Sequence, residues 1–260
     1  MKTSGGVGEK EFDAYYRALY GSRWDGLKAA LLKPAERLPY TTGTGCPYLM
    51  DHASVLAARS LRTPHKGLLL DACAAPGGKT LVLASESAPT VKIVANEPSS
   101  ARRRRLVNVL NGCLDGETRG RVSVSGFDAA AIAAKKREHG RFDGILLDAP
   151  CSSERHVLSN EKYLARWTPA RPRFLAKRQW ALLAAAFLLL KEGGCLVYST
   201  CALSFEENDG VAARLLAKFG GRIVPDMPDF CGGEGTEYGR LILPDADGGM
   251  GPMYVARFHK

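Results

Sequence analysis

The sequence predicts an α/β fold with a doubly wound, mostly parallel sheet, and three observations favour this class. From residue 67 onward, short apolar runs alternate with helix-like stretches. A Pro-Gly-Gly turn follows the first run, at the point where an open α/β sheet binds its ligand. After residue 220, short runs separated by Gly-rich turns predict an antiparallel end to the sheet.

The apolar runs predict five buried strands, because strands covered by helices on both faces are apolar throughout. They are residues 67–72, 91–97, 121–128, 142–150 and 195–201. One helix is predicted to begin at residue 77. Four more are predicted over residues 98–112, 129–139, 173–191 and 205–219. This alternation is typical of a doubly wound sheet.

Residues 1–66 predict a small helical N-terminal extension, separate from a main domain at 67–260. One or two amphipathic helices with a break at Gly21 are predicted over residues 12–34, and another over 51–61.

The composition favours a polyanionic partner. The chain of 260 residues carries 36 Lys and Arg against 27 Asp and Glu, a net charge of +9, although a basic protein without such a partner is the alternative. The longest apolar run, residues 180–190, has eleven residues, well short of the roughly 20 that span a membrane. With no export or import signal at its start, we expect a cytoplasmic location, or a mitochondrial matrix if a presequence was removed.

The cysteines predict reduced thiols and no metal site. They number seven, are widely spaced and include no C-x-x-C pair. This pattern argues against both a disulfide framework and a structural zinc ion.

The segment DACAAPGGKT at 71–80 predicts a cofactor site after the first strand. Glycine lets the backbone approach a ligand closely, and the free amides of a helix start favour a carboxylate or phosphate. The first glycine of a phosphate-binding P-loop is absent because Cys73 stands there, and the dinucleotide pattern G-x-G-x-x-G is also absent. A tight turn without a ligand is the alternative.

Acidic side chains follow the next two strands. Glu97, 26 residues after Asp71, is placed to bind the ribose hydroxyls of an adenosine-containing cofactor. Asp128 follows the third strand beside Phe127, where a carboxylate can accept from an adenine amino group. Either acid could instead cap a loop.

Two cysteines and an aspartate end the fourth and fifth strands, in DAPCSS at 148–153 and YSTC at 198–201. A thiolate can add to an electron-poor ring carbon while a carboxylic acid donates a proton to the ring nitrogen that takes up the charge. A buried structural role is the alternative for any one cysteine. A Cys/His hydrolase would need a histidine partner, and only His156 is near in sequence.

In this order and spacing, DACAAPGGKT, DAPCSS and YSTC closely resemble the RNA cytosine-5 methyltransferases of the Nop/Sun family, over about residues 40–260. FDAYYRALYG, YLMDHASVL, CSSERHVLS and GPMYVARF resemble its mitochondrial ribosomal-RNA branch and the bacterial relatives of that branch. The resemblance implies a Rossmann-like fold that uses S-adenosylmethionine, without a metal.

The resemblance also implies site residues. Glu97 would bind the cofactor ribose, Asp128 its adenine, and Asp148 would border both cofactor and target base. The loop around the methionine part would consist of Cys73, Ala74, Ala75, Pro76, Gly77, Gly78 and Lys79.

Four residues would act on the base. Cys201 would attack cytosine C6, and Cys151 would assist resolution of the protein–RNA adduct and product release. Asp148 would stabilise the charge at N3, and Lys79 would orient Asp148 or act on Cys201. The chain departs from the family pattern at Glu97, where aspartate is common, and in Ser-Ser-Glu-Arg-His after Cys151, where many members have Ser-Gly-Thr-Gly. The second departure puts the substrate class in doubt.

A target base buried in its helix is inaccessible, so such an enzyme needs a basic surface with aromatic rings. Arg102 begins a run of four arginines, and residues 163–180 interleave cations with Tyr163, Trp167 and Phe174. The predicted RNA-binding cations are Arg102, Arg166, Arg171, Arg173, Lys177 and Arg178. The alternative for 163–180 is an exposed basic helix whose aromatic rings pack into the core.

Two functions remain open. The first is methylation of cytosine C5 in RNA, expected to be ribosomal, through a Cys201 adduct. The second is a ribosome-assembly factor that binds RNA and keeps the fold without essential catalysis. In either case a protein partner or the ribosomal subunit could supply specificity, because no RNA-binding module is recognisable in residues 1–66.

Overall fold

The computed structural model describes residues 7–43 and 45–260. Residues 1–6 and residue 44, which belong to the predicted extension, lie outside the described residues.

The described chain alternates helices and strands. The α-helices are α1 (Val7–Tyr20), α2 (Trp24–Leu32), α3 (His52–Arg59), α4 (Gly78–Glu86), α5 (Ser100–Cys113), α6 (Gly116–Gly120), α7 (Ala129–Ile132), α8 (Glu154–Leu158), α9 (Glu161–Ala165), α10 (Ala170–Leu189) and α11 (Asp209–Phe219). Short 3₁₀ turns occupy Gly21–Arg23, Lys136–Glu138 and Phe205–Glu207. The strands are β1 (Leu38–Thr41), β2 (Pro47–Met50), β3 (Gly67–Asp71), β4 (Val91–Asn96), β5 (Val122–Ser125), β6 (Phe142–Asp148), β7 (Leu190–Thr200), β8 (Val224–Asp226), β9 (Glu234–Gly235), β10 (Gly239–Ile242) and β11 (Met253–His259).

The central sheet confirms the predicted fold class. Its strand order is β5-β4-β3-β6-β7-β11-β10-β9, with β8 paired to β11. The first five strands are parallel, whereas β11 runs antiparallel to β7, with Tyr254 opposite Thr200. The chain reverses its direction of travel across the sheet between β3 and β6, and in such sheets the ligand binds at this switch point.

The apolar runs form the sheet because both of its faces are covered. Successive residues of a strand point to opposite faces. Leu69 and Leu146 therefore enter the core that α3 and α4 cover, while Leu70 and Leu147 enter the core beneath α10 and α11. All four leucines are completely buried, which is why these strands show no polar alternation.

A third core cluster attaches the N-terminal helices to the loops after β6 and β7. Phe12, Tyr16, Trp24 and Trp167 pack ring against ring, with centroid distances between 4.6 and 5.9 Å. Trp167 is only 2% exposed. The interpretation of Trp167 as an RNA-stacking ring is therefore wrong, and its burial follows the alternative that placed aromatic rings in the core.

Two elements differ from the sequence prediction. Strands β1 and β2 form an antiparallel ribbon, with Leu38 opposite Met50, inside the extension that was predicted to be helical. Its strands have four residues each and are mostly exposed, so they carry no clear hydrophobic period. The helix predicted over 129–139 is shorter, because Lys135 to Glu138 contribute no apolar residue to bury.

Within the described ranges, no helix is both long and apolar enough to span a membrane.

Replacement of Trp167 by Ala should lower the free energy of unfolding by about 3–5 kcal/mol, because it removes a large ring from a closed aromatic cluster. Urea denaturation followed by circular dichroism measures this change. Phe174→Ala is the matched control: that ring is 70% exposed, so the change should be within about 0.5 kcal/mol of wild type. Equal losses from both variants would contradict the assignment of Trp167 to the core.

Candidate active site

A cleft of about 720 Å³ opens at the carboxyl ends of β3, β6 and β7. Parallel strands bring their carboxyl ends to one edge of the sheet, so the motifs after these strands meet there. The cleft wall includes the predicted site residues Cys73, Ala74, Ala75, Pro76, Gly78, Lys79, Asp148 and Cys201. The N-terminal extension and the segment before β11 complete the wall through residues such as Lys33, Tyr48, Ser54 and Pro252.

The glycine turn lies where only glycine fits. Gly77 has a φ of +125°, which side chains other than glycine rarely adopt. A Cβ on Gly78 would stand 2.9 Å from Cε1 of Tyr48, which is closer than carbon atoms pack. Gly78, at the start of α4, lines the cleft, whereas Gly77 does not belong to its wall. The free backbone amides of this helix start suit a cofactor cradle.

Glu97 offers a buried acceptor on the far side of this turn. The residue is 1% exposed, and its Oε1 accepts from the backbone N–H of Ser99 at 2.9 Å. Its Oε2 lies 3.2 Å from Nη1 of Arg102 but has no partner with hydrogen-bond geometry among the described residues. A buried carboxylate oxygen in this state can accept from a ribose hydroxyl.

Arg102 lies at the predicted cofactor side of the molecule. Its Nη2 donates to the carbonyl of Ala75 at 2.8 Å, so its guanidinium joins the glycine turn to Glu97. These contacts favour a structural role at the cofactor cradle over the predicted contact with RNA.

Asn96 holds the strand ends around the cradle and was not singled out in the sequence. Its side chain is completely buried, donates to the carbonyls of Ala72 and Phe127, and accepts from Ser125 and from the N–H of Phe127. In the sequence, the only sign of this role is that an asparagine ends an apolar strand. Its hydrogen-bond partners lie at the ends of two other strands, so the sequence does not show them together.

Asp128 caps helix α7. Its Oδ1 accepts from the backbone N–H groups of Ala130 at 2.9 Å and Ala131 at 3.4 Å. These contacts match the alternative in which Asp128 caps a loop. The residue is exposed and does not belong to the cleft wall. Binding of adenine by Asp128 stays a prediction.

Asp71 is a buried acid on the cleft wall to which the sequence assigned no role. It is completely buried, its Oδ2 accepts from Thr80 at 2.6 Å, and its Oδ1 has no hydrogen-bond partner in the described part of the chain. Burial raises the pKa of Asp71 to about 7, against the effect of the Thr80 hydrogen bond.

Lys79 and Asp148 form an ion pair in the middle of the cleft. Nζ of Lys79 lies 2.8 Å from Oδ2 of Asp148 and 3.2 Å from Oγ of Ser54, while Oδ1 of Asp148 accepts from Ser199 at 2.9 Å. Burial lowers the pKa of Lys79, but the Asp148 carboxylate outweighs it and the net shift is upward. Lys79 is therefore a cation paired with Asp148, and its role in orienting Asp148 stays a prediction.

The two predicted cysteines meet at this end of the cleft. Sγ of Cys151 and Sγ of Cys201 are 2.9 Å apart, and the N–H of Cys201 points to Sγ of Cys151 at 3.3 Å. Only Cys201 belongs to the cleft wall. The hydrogen bond with Cys201 and burial raise the pKa of Cys151 well above its ordinary value. Cys151 is therefore a protonated thiol beside the half-buried Cys201.

Ser153 adds a hydroxyl to this pair. Its Oγ lies 3.2 Å from Sγ of Cys201 and 3.5 Å from Sγ of Cys151. Its φ of +54° makes it the one non-glycine residue in the left-handed region among those described. Many proteins with the resembling motif have glycine at this position, for which such a backbone costs nothing.

A buried network of two carboxyl groups holds the loops that carry both cysteines. Oγ of Ser152 donates to Glu154, and it lies 2.5 Å from Oε2 of Glu207. Oε1 of Glu207 accepts from the N–H of Ser152 at 2.9 Å and from Gln179 at 2.8 Å. Glu154 also accepts from the hydroxyl of Tyr16, so helix α1 joins the network.

Burial is the main cause of the raised pKa values of Glu207 and Glu154. It raises the pKa of Glu207 to about 7, with the nearby Glu154 charge as the second cause, and it also raises the pKa of Glu154. Two buried carboxyl groups that share one serine cannot both be ionised at low cost. The network therefore retains a proton near neutral pH, and this proton supports the observed hydrogen bonds.

The predicted RNA-binding cations of 166–178 lie apart from the cleft wall. Arg166, Arg171, Arg173, Lys177 and Arg178 are exposed on α10 and the residues before it. Nη2 of Arg171 approaches the carbonyl of Ser152 at 3.4 Å. In the part of the chain that the structure describes, the cations of the cleft wall besides Lys79 are Lys33, Arg37, Arg155 and the ionisable His156.

Sequence reasoning missed these four cleft residues as binding residues. The departure Ser-Ser-Glu-Arg-His was a signal for Arg155 and His156, whereas nothing marked Lys33 and Arg37. Over the described residues, no group of three or more His, Cys, Asp and Glu side chains could hold a metal ion.

The sheet order and the glycine turn at its switch point define a Rossmann-like methyltransferase fold. A methyltransferase homolog protein from Pyrococcus horikoshii shares this fold with a TM-score of 0.75 at 23% identity, over 96% of this chain and 94% of that one. NSun6 from Pyrococcus horikoshii, solved with SFG, an S-adenosylmethionine analogue, gives a TM-score of 0.69 at 27% identity, over 86% of this chain and 56% of that one.

The chain belongs to the 16S rRNA methyltransferase RsmB/F family, whose sequence model matches residues 58–259. Ribosomal RNA small subunit methyltransferase F of Aeromonas hydrophila is 38% identical over 229 residues, 84% of this chain and 46% of that protein. The 5-cytosine rRNA methyltransferase NSUN4 of Mus musculus is 35% identical over 230 residues, 82% of this chain and 60% of that protein. These relatives confirm the resemblance, and the chain spans about half of their length.

Replacement of Glu207 by Gln should flatten the pH dependence of stability. A carboxyl group whose pKa is raised from about 4.5 to about 7 on folding contributes stability that is complete below pH 4.5 and is lost as the pH rises through 7. The decline in the free energy of unfolding attributable to Glu207 is about 3 kcal/mol. Urea denaturation at several pH values from 4 to 8 measures it.

Glu207→Gln should lose this part of the decline and keep the part due to Asp71, whose pKa is also raised to about 7. Parallel curves for the variant and wild type would contradict the assigned proton on the buried pair.

Proposed function

We propose that this protein transfers a methyl group from S-adenosylmethionine to C5 of a cytosine in RNA, and that the RNA is ribosomal. The observation that carries the proposal is the pair of thiols 2.9 Å apart, with Cys201 on the cleft wall beside the Lys79–Asp148 ion pair. A second thiol is unnecessary for most methyl transfers, whereas an enzyme that forms and resolves a covalent adduct can use both. The family names of the relatives support the substrate.

The residues at the glycine turn fit the cofactor. The helix start at Gly78 on the cleft wall and the buried Glu97, whose Oε2 lacks a hydrogen-bond partner among the described residues, suit an adenosine attached to an amino acid. Asp71 offers a second incompletely bonded oxygen, suited to an ammonium group. When bound, S-adenosylmethionine supplies an electrophilic methyl group.

Cys201 would make cytosine reactive. C5 is a poor nucleophile until the Cys201 thiolate forms a bond to C6, which moves ring electrons toward C5 and N3. Nζ of Lys79 lies 2.8 Å from Oδ2 of Asp148, so a proton could pass from Lys79 through Asp148 to N3 as charge gathers there. Solvent would then take up the C5 proton while the Sγ–C6 bond breaks and sulfur keeps its electron pair. Return of the N3 proton to the Lys79–Asp148 pair would restore the aromatic ring, the thiolate and the ammonium group.

Cys151 would act after this addition. Because its pKa is raised by the hydrogen bond with Cys201 and by burial, it stays a neutral thiol and does not compete for C6. Its position beside Sγ of Cys201 suits assistance in resolving the adduct and releasing the product.

The location and partners of the protein are part of the proposal. Relatives include bacterial proteins and a zebrafish methyltransferase whose name places it in mitochondria. We propose action in a bacterial cytoplasm or an organelle matrix, with the ribosomal subunit or a protein partner supplying specificity for the target cytosine.

Incubation with labelled S-adenosylmethionine and small-subunit ribosomal RNA should give label in 5-methylcytosine. Cys201→Ala should abolish the label, because the nucleophile is lost. Cys151→Ala should trap a covalent protein–RNA adduct visible on a denaturing gel. The control Cys231→Ala changes an exposed cysteine outside the cleft wall and should behave as wild type.

Methylation by Cys201→Ala would overturn the covalent mechanism. Absence of label with wild type, while cofactor binding persists, would favour the assembly-factor alternative.

Replacement of Ser153 should separate activity from stability. Both Ser153→Ala and Ser153→Gly remove the hydroxyl 3.2 Å from Sγ of Cys201, so both should lower kcat about tenfold through weaker support of the thiolate. Glycine adopts the left-handed backbone without strain, whereas alanine does not. The free energy of unfolding of Ser153→Gly should therefore be about 1 kcal/mol higher than that of Ser153→Ala. Single-turnover rates and urea denaturation measure the two effects. Unchanged kcat in both variants would show that the hydroxyl does not act on Cys201.

A further inference from the structure

The mouth of the cleft carries a cationic and aromatic group of side chains, which we call the cleft rim. It consists of Lys33, Arg37, Arg155, His156 and Tyr163. The first four line the cleft, and the Tyr163 ring lies 5.2 Å from the His156 ring. The extension contributes Lys33 and Arg37, and helices α8 and α9 contribute the others.

Arg155 is the most constrained member of the rim. Its Nη1 donates to the carbonyl of Lys33 at 2.9 Å, and Nη2 approaches the carbonyl of Gly249 at 3.4 Å. Its Nε is buried without a hydrogen-bond partner among the residues described. Burial lowers the pKa of Arg155, and the Asp51 charge opposes this.

The cations of the rim have no acidic partner of their own. Within the described ranges, no ion pair within 4 Å involves Arg155, Lys33 or Arg37. The nearby Asp51 is engaged elsewhere, because its carboxylate accepts from the N–H groups of Ala53 and Gly251. A half-buried guanidinium with a spare donor and no carboxylate is a site for an external anion.

The rim lies beside the reacting thiol. Arg155 follows Ser153 by two residues, and Oγ of Ser153 is 3.2 Å from Sγ of Cys201. Two residues span at most about 7 Å of backbone. A nucleotide whose base reaches Cys201 therefore places its backbone phosphates within reach of the rim.

We propose that the cleft rim binds the sugar–phosphate backbone of single-stranded RNA on either side of the target cytosine. Arg155 binds a phosphate through its fork of donors, and Lys33 and Arg37 bind neighbouring phosphates as mobile charges. The exposed rings of His156 and Tyr163 stack on an adjacent base. This inference rests on the proposed function and names the form of RNA that the same site accepts.

Single-stranded RNA is favoured by the shape of the site. The Cys201 thiol lies on the wall of a cleft bordered by α8 and by the residues after α2, so a base must leave its stack to reach it. A strand without a complement offers its bases for stacking at no cost of unpairing. The exposed cations of α10 lie outside the cleft wall, whereas the cations of the rim line it.

The test is binding of a fluorescent 12-residue oligoribonucleotide of cytidine, alone or paired with its guanosine complement, at several salt concentrations. Wild type should bind the single strand more tightly than the duplex. Arg155→Gln should weaken single-strand binding about tenfold. Each lost phosphate contact should also reduce the slope of log affinity against log salt by about 0.7.

Two further variants separate binding from folding. Lys33→Ala/Arg37→Ala changes exposed side chains for which the described residues provide no hydrogen bond or ion pair, so it should fold normally while reducing the salt slope by about 1.4. Lys66→Ala is the matched control: this exposed lysine precedes β3 at the opposite edge of the sheet, and its loss should change neither affinity nor slope. Affinity for S-adenosylmethionine should equal that of wild type in all of these proteins.

Methyl transfer to small-subunit ribosomal RNA distinguishes the two proposals. If wild type methylates this RNA, the rim variants should raise KM for RNA with little change in kcat. Unchanged KM and salt slope in both rim variants would overturn the rim assignment and leave the proposed function intact. Duplex binding at least as tight as single-strand binding would overturn it as well. Weakened binding by the rim variants in a protein that transfers no methyl group would support the rim and reject the proposed function.

Discussion

Ser152 joins two buried carboxyl groups, Glu154 and Glu207, and the position of both cysteines depends on this junction. Cys151 directly precedes Ser152, and the loop after Cys201 carries Glu207. Buried polar groups must find partners, so the two loops can pack only where these hydrogen bonds form. The shared proton makes the junction stable near neutral pH, because two ionised carboxylates at this distance would repel each other in a weakly polarisable interior.

The same junction connects the N-terminal helices to the reaction site. Tyr16 donates to Glu154 from within the aromatic cluster, and the residues that follow these helices form one wall of the cleft. Ser54, from α3, contacts Lys79 at 3.2 Å. The predicted extension is therefore built into the site, and we propose that it and the main domain act as one functional unit.

The cleft has two sides of different chemical character. The cofactor side combines a glycine turn with buried acids whose oxygens are incompletely bonded, as expected for a ligand with hydroxyl and ammonium donors. The opposite side has the cations Lys33, Arg37 and Arg155, for which the described residues provide no ion pair within 4 Å, as expected for a site that binds a polyanion. Lys79 and Asp148 lie between them and neutralise each other, so the middle of the cleft has no large net charge.

The sequence by itself determined the sheet, the cofactor turn and the meeting of Asp148, Cys151 and Cys201. Continuous apolar runs identify buried parallel strands, and the carboxyl ends of such strands share one edge. Only the tertiary structure decided that Trp167 is buried, that Arg102 contacts Ala75 and Glu97, and that Arg155 lines the cleft. These outcomes depend on contacts between distant segments, such as Tyr16 with Glu154, 138 residues apart, and no local pattern of residues encodes such pairings.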